Sequence, residues 1–292
     1  MGRVDPITRQ IVQNALASAA DEMAVGLYRT AYSTIVRDVL DFSTSLCNGK
    51  GEQIAQGVTI PLHLGSVPYA MASLFKKFGE DINPGDIFIL NDPFDGGMHL
   101  PDIFIAQPIF AEGQRVAFSV ATAHHLDVGG RLPGSSACDN VEIFQDGLRI
   151  PWLKLYRGGK PDEAIFTLLR ANVRIPKMTL GDLRAELSAC HIGQKAILNI
   201  IDRYGVDTFL KCTDDLIAYT EKLIRADIAS WPNGSNTFTD YLDSNGSPDL
   251  SEPVKIQCKI TVEGDSLIAD FTGTAAQVPG AINCTLSFTA SC

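Results

Sequence analysis

The 292-residue sequence lacks the short signatures on which several enzyme classes depend. It has no H-E-x-x-H for a zinc peptidase helix, no G-x-S-x-G elbow for a serine hydrolase and no Walker A stretch for a nucleoside phosphate. The Gly49-x-Gly51 pair is followed by neither more glycine nor a helical pattern, so it reads as turn chemistry. The seven cysteines (Cys47, Cys138, Cys190, Cys212, Cys258, Cys284, Cys292) are odd in number, scattered and without a C-x-x-C pair. That excludes a disulfide framework and a zinc ribbon. No segment approaches ~18 uninterrupted apolar residues, and the opening Met1-Gly2-Arg3-Val4-Asp5-Pro6 has no apolar run of signal-peptide length. A cytoplasmic protein with reduced thiols and no membrane association is expected. Positive charge is scarce as well: 24 Lys and Arg against 34 Asp and Glu leave a net charge of −10. This disfavours nucleic acid as a partner and points to a small molecule or another protein.

What is present is a globular balance, with 45% apolar and 20% charged residues. Asp5 followed by Pro6 caps a helix whose apolar positions Ile7, Ile11, Leu16, Ala19, Met23 and Leu27 carry it to about Tyr32. Residues 41–47 and 53–56 read as a hairpin around Asn48-Gly49, and Ser66 opens a helix reaching about Phe78. Ile87 to Leu90 reads as a strand, and Ile103–Phe110 with Val116–Ala123 as a hairpin turned by Glu112-Gly113. From Pro161 to about Ile228 the pattern is helical, with a capping-box-like start at Thr179 and Asp182 and a break at Gly205. Strands return at 238–242, 254–262 and 267–271. The order lacks a βαβ rhythm, so the expected class is α+β, with mixed sheets and long helices. The expected division is an α/β region carrying the site over 1–230 and the start of a β-rich region over 231–292. Ser287 to Cys292 reads as strand-like with nothing closing it, which implies a chain truncated at its C-terminal end.

The densest polar cluster runs from Asn91 to Asp102, a Gly- and Pro-rich loop between two strands. His99 and Asp102 are three apart, so one imidazole and one carboxylate can meet around a single ion. His124-His125 closes the next strand. Two imidazoles and a carboxylate suit a divalent metal of the Zn, Mn or Fe class with positions left open. Adjacent strand residues point to opposite faces, so only one of His124 and His125 can reach such an ion while that stretch is extended. From the residues alone, hydrogen-bonded core or rim histidines account for the same pattern equally well.

A series of motifs then carries a resemblance. Arg29-Thr30-Ala31-Tyr32-Ser33, Asp41-Phe42-Ser43, His63-Leu64-Gly65-Ser66, Asn91-Asp92-Pro93, His99-Leu100-Pro101-Asp102, His124-His125-x-Asp127-Val128-Gly129-Gly130 and Gly147-Leu148-Arg149-Ile150-Pro151 occur in order. With Asp270-Phe271-Thr272-Gly273-Thr274 and Gly280-Ala281-Ile282-Asn283, they make nearly the whole chain similar to the hydantoinase B family. That family includes N-methylhydantoinase B subunits, the corresponding region of 5-oxoprolinase and acetone carboxylase alpha subunits. The resemblance implies one divalent metal held by His99, Asp102 and His124, with Asp41 a further ligand or a base. It also implies a hydantoinase A-like partner with an actin-like ATPase fold, which binds the ATP and phosphorylates the substrate's carbonyl oxygen.

On that reading the chain is the hydrolytic, metal-binding subunit of an ATP-dependent cyclic-amide hydrolase acting on hydantoin, 5-oxoproline or lactam rings within a hetero-oligomer. Water attacks the activated carbon while Asp41 or His125 accepts its proton. His63, ahead of a helix start, either contacts substrate or positions its turn. Two alternatives stay open: the alpha subunit of an ATP-dependent ketone carboxylase, and a non-catalytic structural subunit.

Overall fold

The computed structural model describes residues 4–246 and 252–292. The opening Met1-Gly2-Arg3 of the leader reading therefore lies outside the described residues. Helix α1 (Pro6–Thr30) starts where Asp5 accepts the Thr8 backbone N–H at 3.0 Å, with Pro6 at its first position. Strands β1 (Phe42–Asn48) and β2 (Gln53–Gln56) pair across the Asn48 to Gly51 turn. Helix α2 (Val67–Phe78) and strand β3 (Ile87–Leu90) follow, then the long hairpin of β4 (Asp102–Ala111) and β5 (Gln114–His124). After β6 (Leu153–Arg157) and β7 (Lys160–Pro161) come helices α3 (Glu163–Asn172), α4 (Pro176–Tyr204) and α5 (Val206–Ile228). Strands β8 (Gly234–Leu242), β9 (Val254–Glu263) and β10 (Ser266–Asp270) precede a short helix α6 (Leu286–Ser291). The class is α+β.

The larger sheet is antiparallel throughout, in the order β2-β1-β5-β4-β3-β6-β7. Both of its faces are covered, which is why β1, β4 and β5 read as nearly continuous buried runs. Phe88, Phe104, Phe118 and Trp152 join Met71 and Leu74 of α2 in one apolar cluster. The alternate side chains Leu46 and Ser119 meet the other layer, formed by α1 and α4, where Ser119 Oγ donates to the Cys190 carbonyl at 2.8 Å. The chain folds as two compact units: Met1–Ser136 with Asp146–Asp214 and Cys284–Cys292, and Ala137–Gln145 with Asp215–Asn283. The division thus falls inside α5, ahead of the expected boundary at residue 230. In the second unit β8, β9 and β10 form a three-stranded antiparallel sheet in the order β10-β9-β8. Among the described residues no helix is long and apolar enough to cross a membrane, and the cysteines form no disulfide.

Three sequence expectations differ from the fold. Helix α4 starts at Pro176, three residues before Thr179. Thr179 and Asp182 lie buried inside it and serve other segments: Thr179 Oγ1 donates to the Asp127 carbonyl, and Asp182 Oδ1 accepts the Tyr32 and Ser33 N–H groups. Residues 286–291 are helical, not strand. Six residues do not separate the two periods, and helix is selected by docking. Phe288 packs on the α2 cluster, Ser287 Oγ donates to the Gly97 carbonyl, and Ser291 Oγ donates to the Leu62 carbonyl. Strands β6 and β7 have no clear strand pattern in the sequence, because Leu153–Arg157 carries the charged Lys154; its ammonium is buried between Asp81 at 2.7 Å and Asp86 at 2.9 Å.

Gly193 sets the spacing between α4 and the sheet. A Cβ there would lie 2.5 Å from Met23 Sδ and 3.0 Å from Ser119 Cβ. Gly193→Val is therefore expected to lower unfolding free energy by about 1–3 kcal/mol through overpacking. A urea midpoint equal to wild type would contradict this close approach.

Candidate metal centre

Three neighbouring strands bring the ionisable groups to one end of the large sheet. Asp102 opens β4, His124 ends β5, and the two are direct partners in the ladder. Asp41 lies just before β1, and its carbonyl accepts the His124 N–H at 3.0 Å. His99 sits in the turn leading into β4, with the Asp102 N–H donating to its carbonyl at 3.0 Å. His63 enters from a short 3-10 turn, Pro61–Ser66, whose Ser66 Oγ donates to the His63 carbonyl at 2.6 Å. The Asn91 carboxamide steadies the loop by donating to the Leu100 and Leu148 carbonyls at 2.7 and 2.9 Å and accepting the Ile150 N–H at 2.6 Å.

The side chains face one another. His99 Nδ1 is 2.6 Å from Asp102 Oδ2, and His124 Nδ1 is 3.3 Å from Oδ1 of the same carboxylate and 3.8 Å from Asp41 Oδ2. His63 Nε2 lies 3.6 Å from Asp41 Oδ1 and 3.7 Å from Asp102 Oδ2. Donor atoms of His99, Asp102 and His124 all fall within 4.8 Å of one another. Asp102 is buried, yet its Oδ1 has no hydrogen-bond partner. Burial works to raise the Asp102 pKa, but the positive charge of His99, joined by that of the other imidazoles, outweighs it and holds the carboxyl far below its usual range. Burial likewise opposes protonation of His99, and Asp102 overcomes it, so the His99 pKa is raised.

His63 adds a constraint that spacing does not reveal. Ser43 Oγ donates its proton to the Ile60 carbonyl at 2.6 Å and is 3.1 Å from His63 Nδ1, so it accepts the Nδ1 proton. That leaves Nε2 turned toward two carboxylates, where its lone pair could join them around a bound cation. The orphaned Asp102 oxygen and the inward-facing lone pairs fit a divalent ion bound by nitrogen and oxygen donors.

Of the residues singled out in the sequence, the structure thus brings together Asp41, His63, His99, Asp102 and His124. It does not bring His125 there. His125 points to the opposite face and is buried, with Nε2 2.9 Å from Glu186 Oε2. Strand alternation gives the reason, and it removes His125 from reach of a water at the cluster. Glu186 gives no signal in the sequence, and the roles of Asp182 and Ser43 do not follow from it, because their partners lie elsewhere in the chain. Leu40, just before Asp41, has φ 62° and ψ 34°, a left-handed conformation that costs a non-glycine residue about 1–2 kcal/mol. It terminates a π-helical turn, Ile35–Val39.

A family model described as Hydantoinase B/oxoprolinase matches residues 5–292. The chain is 34% identical over 285 residues to a protein of Pseudomonas sp. (strain NS671) described as the B-type subunit of a D-/L-hydantoinase, covering 94% of this chain and 48% of that one. A crystal structure of an ATP-dependent caprolactamase from Pseudomonas jessenii superposes with a TM-score of 0.91 at 32% identity, over 99% of this chain and 50% of that chain. A nucleotide-free acetone carboxylase structure superposes with a TM-score of 0.90, over 98% of this chain and 40% of that one; at 21% identity this shows shared fold alone. The chain spans about half the length of some of the curated relatives it matches and under a quarter of the length of the 5-oxoprolinases among them.

The buried His125–Glu186 pair predicts a pH signature. Burial lowers the His125 pKa from 6.5 to about 4. Burial, reinforced by the charge of Asp182, pushes the Glu186 carboxyl well above 4.5. Between the ordinary values of 4.5 and 6.5 the folded pair and the unfolded pair each hold one proton, so stability is flat. From pH 6.5 up to the raised folded pKa of Glu186 the folded pair keeps a proton that the unfolded pair has lost, so its contribution falls as pH rises through that window. The slope is at most about 1.4 kcal/mol per pH unit. Glu186→Gln should remove that alkaline decline in urea-unfolding free energy. Parallel wild-type and variant profiles above pH 6.5 would contradict the assignment.

Proposed function

The chain belongs to the hydantoinase B/oxoprolinase family, and from that premise we propose that it supplies the metal-binding, hydrolytic centre of an ATP-dependent cyclic-amide hydrolase. The observation that carries the proposal is the convergence of three imidazoles and two carboxylates at one sheet end, around a buried carboxylate oxygen without a partner. His99, Asp102 and His124 would hold one divalent ion of the Zn, Mn or Fe class, with Asp41 at its edge. Such an ion would supply Lewis-acid polarisation and acidify water at neutral pH.

The chain's own residues then divide the work. Asp102, fixed by its place in the ladder and by His99, holds the centre in register. Ser43 locks His63 in the tautomer that turns Nε2 inward. Asp41 is more open to solvent than Asp102 and stands beside His63 and His124, where its carboxylate can accept the proton of an attacking water. An amide carbonyl is a poor electrophile, so the oxygen has to be activated first. Transfer of a phosphoryl group to it from ATP is assigned to a hydantoinase A-like partner. The description of the Pseudomonas relative as one subunit of its enzyme supports such a partner. The substrate is a small cyclic amide: a hydantoin, 5-oxoproline or a lactam.

The test is ATP-dependent ring opening by the protein purified together with its partner, alongside metal content by mass spectrometry. His99→Ala and Asp102→Asn are expected to lose the metal and to lower kcat/KM by at least ~100-fold while keeping the wild-type circular dichroism spectrum. Full turnover in His124→Ala would point instead to a purely structural role. Bicarbonate-dependent ketone consumption without ring opening would replace hydrolysis by carboxylation.

A further inference from the structure

Resting on the metal-centre reading, we infer that Ser287 and Ser291 of α6 are positioning residues of that centre: one hydroxyl fixes the loop that carries His99, and the other fixes the turn that aims His63. Phe288 packs on the α2 cluster, which also takes in Leu62 and Met98, one residue before His63 and one before His99. Apolar packing accounts for that contact. It leaves the two serines to explain. Ser287 is buried, and its Oγ donates to the Gly97 carbonyl, 190 residues away in sequence and two residues before His99. Four residues on, along the same helix face, Ser291 Oγ donates to the Leu62 carbonyl and accepts the Gly65 N–H at 3.1 Å. Those two backbone groups are three residues apart, the step that a 3-10 turn bonds, and His63 lies between them. The hydroxyl therefore ties both ends of the segment from which the His63 ring projects. Glycine at position 65 admits it, since a Cβ there would lie 2.5 Å from Ser291 Cα.

The two rings meet at one atom. Asp102 Oδ2 is 2.6 Å from His99 Nδ1 and 3.7 Å from His63 Nε2. Ser43 settles the tautomer of His63, but the distance between the two rings is a property of the two backbones that carry them. Helix α6 is bonded to both, so it fixes that distance before an ion arrives. A centre whose donors come from separate loops binds an ion tightly only when those loops are held in place beforehand.

The test is titration of Zn2+, Mn2+ and Fe2+, each alone and without ATP, into the metal-free protein purified together with its partner, against a competing chelator. Ser287→Ala and Ser291→Ala should each weaken binding of the metal that wild type takes by about tenfold. Thr289→Ala removes a hydroxyl that donates to the Thr285 carbonyl within α6 at 3.0 Å, and it should keep the wild-type affinity. A helix that serves stability alone would lower the metal-free Tm of the serine variants and leave their metal affinity at the wild-type value. That result overturns the positioning role and leaves the proposed function standing. So does an equal loss of affinity in Thr289→Ala, which would trace the effect to the helix as a whole. A wild-type protein that binds none of the three metals overturns the metal-centre reading, and the positioning role with it.

Discussion

The candidate centre depends on the register of one hairpin. The two-residue turn Glu112-Gly113, with both φ values positive at 51° and 77°, pairs Ala111 with Gln114 and matches the twist of its strands. Continued regularly, that register would set Asp102 opposite Ala123. It does not continue: the pairing shifts between Ile109 and Phe110, so that Ile109 meets Ala117 and Phe110 meets Arg115. One extra residue on β5 forms a bulge, and beyond it Asp102 faces His124. Since a shift of one residue exchanges the two faces of a strand, this bulge decides which histidine joins the carboxylates. It also leaves the other against α4.

Packing on both sides makes that register hard to escape. The aromatic cluster under α2 and the close approach of α4 at Gly193 grip opposite faces of the same strands. Slippage would move Phe104 and Phe118 out of the one layer and into the other. The polar groups behind the centre belong to the same arrangement. His125 and Glu186 are buried as a hydrogen-bonded pair between β5 and α4, and His125 Nδ1 and Glu186 Oε1 remain without partners. A buried polar group left unpaired costs about 1–3 kcal/mol. The core therefore carries a penalty directly behind the strand that ends in His124.

The loop that follows His125 is tied down with comparable care. Asp127 accepts the Arg174 backbone N–H at 2.7 Å and its guanidinium at 2.8 Å, while that guanidinium also donates to the Gly129 and Gly130 carbonyls. Ser135 Oγ bridges the Val128 N–H and the Gly129 carbonyl. Gly129 lies at φ 95°, and a Cβ there would come 2.6 Å from the Asn172 carbonyl oxygen. The Asp-Val-Gly-Gly motif is in this sense an anchoring device with little freedom of its own.

Local physics was legible from the residues. Asp5-Pro6 caps a helix, Asn48-Gly49 and Glu112-Gly113 turn hairpins, and apolar periodicity marks α1, α2 and the buried strands because each signal acts within a few residues. Charge and spacing also placed His99 and Asp102 in one loop, and strand alternation required His124 and His125 to part. The rest is long-range. His63 comes to the carboxylates only because β1 brings Ser43 to its ring, and Asp182 and Glu186 find their partners 149 and 61 residues away. Helix α6 is a helix only where Gly97 and Leu62 meet it. By itself the sequence determined that a single member of the His124-His125 pair could face the carboxylates. Tertiary structure decided which one, because the face a strand residue takes depends on its register with the neighbouring strand, and that register is set by a bulge eight residues from His124.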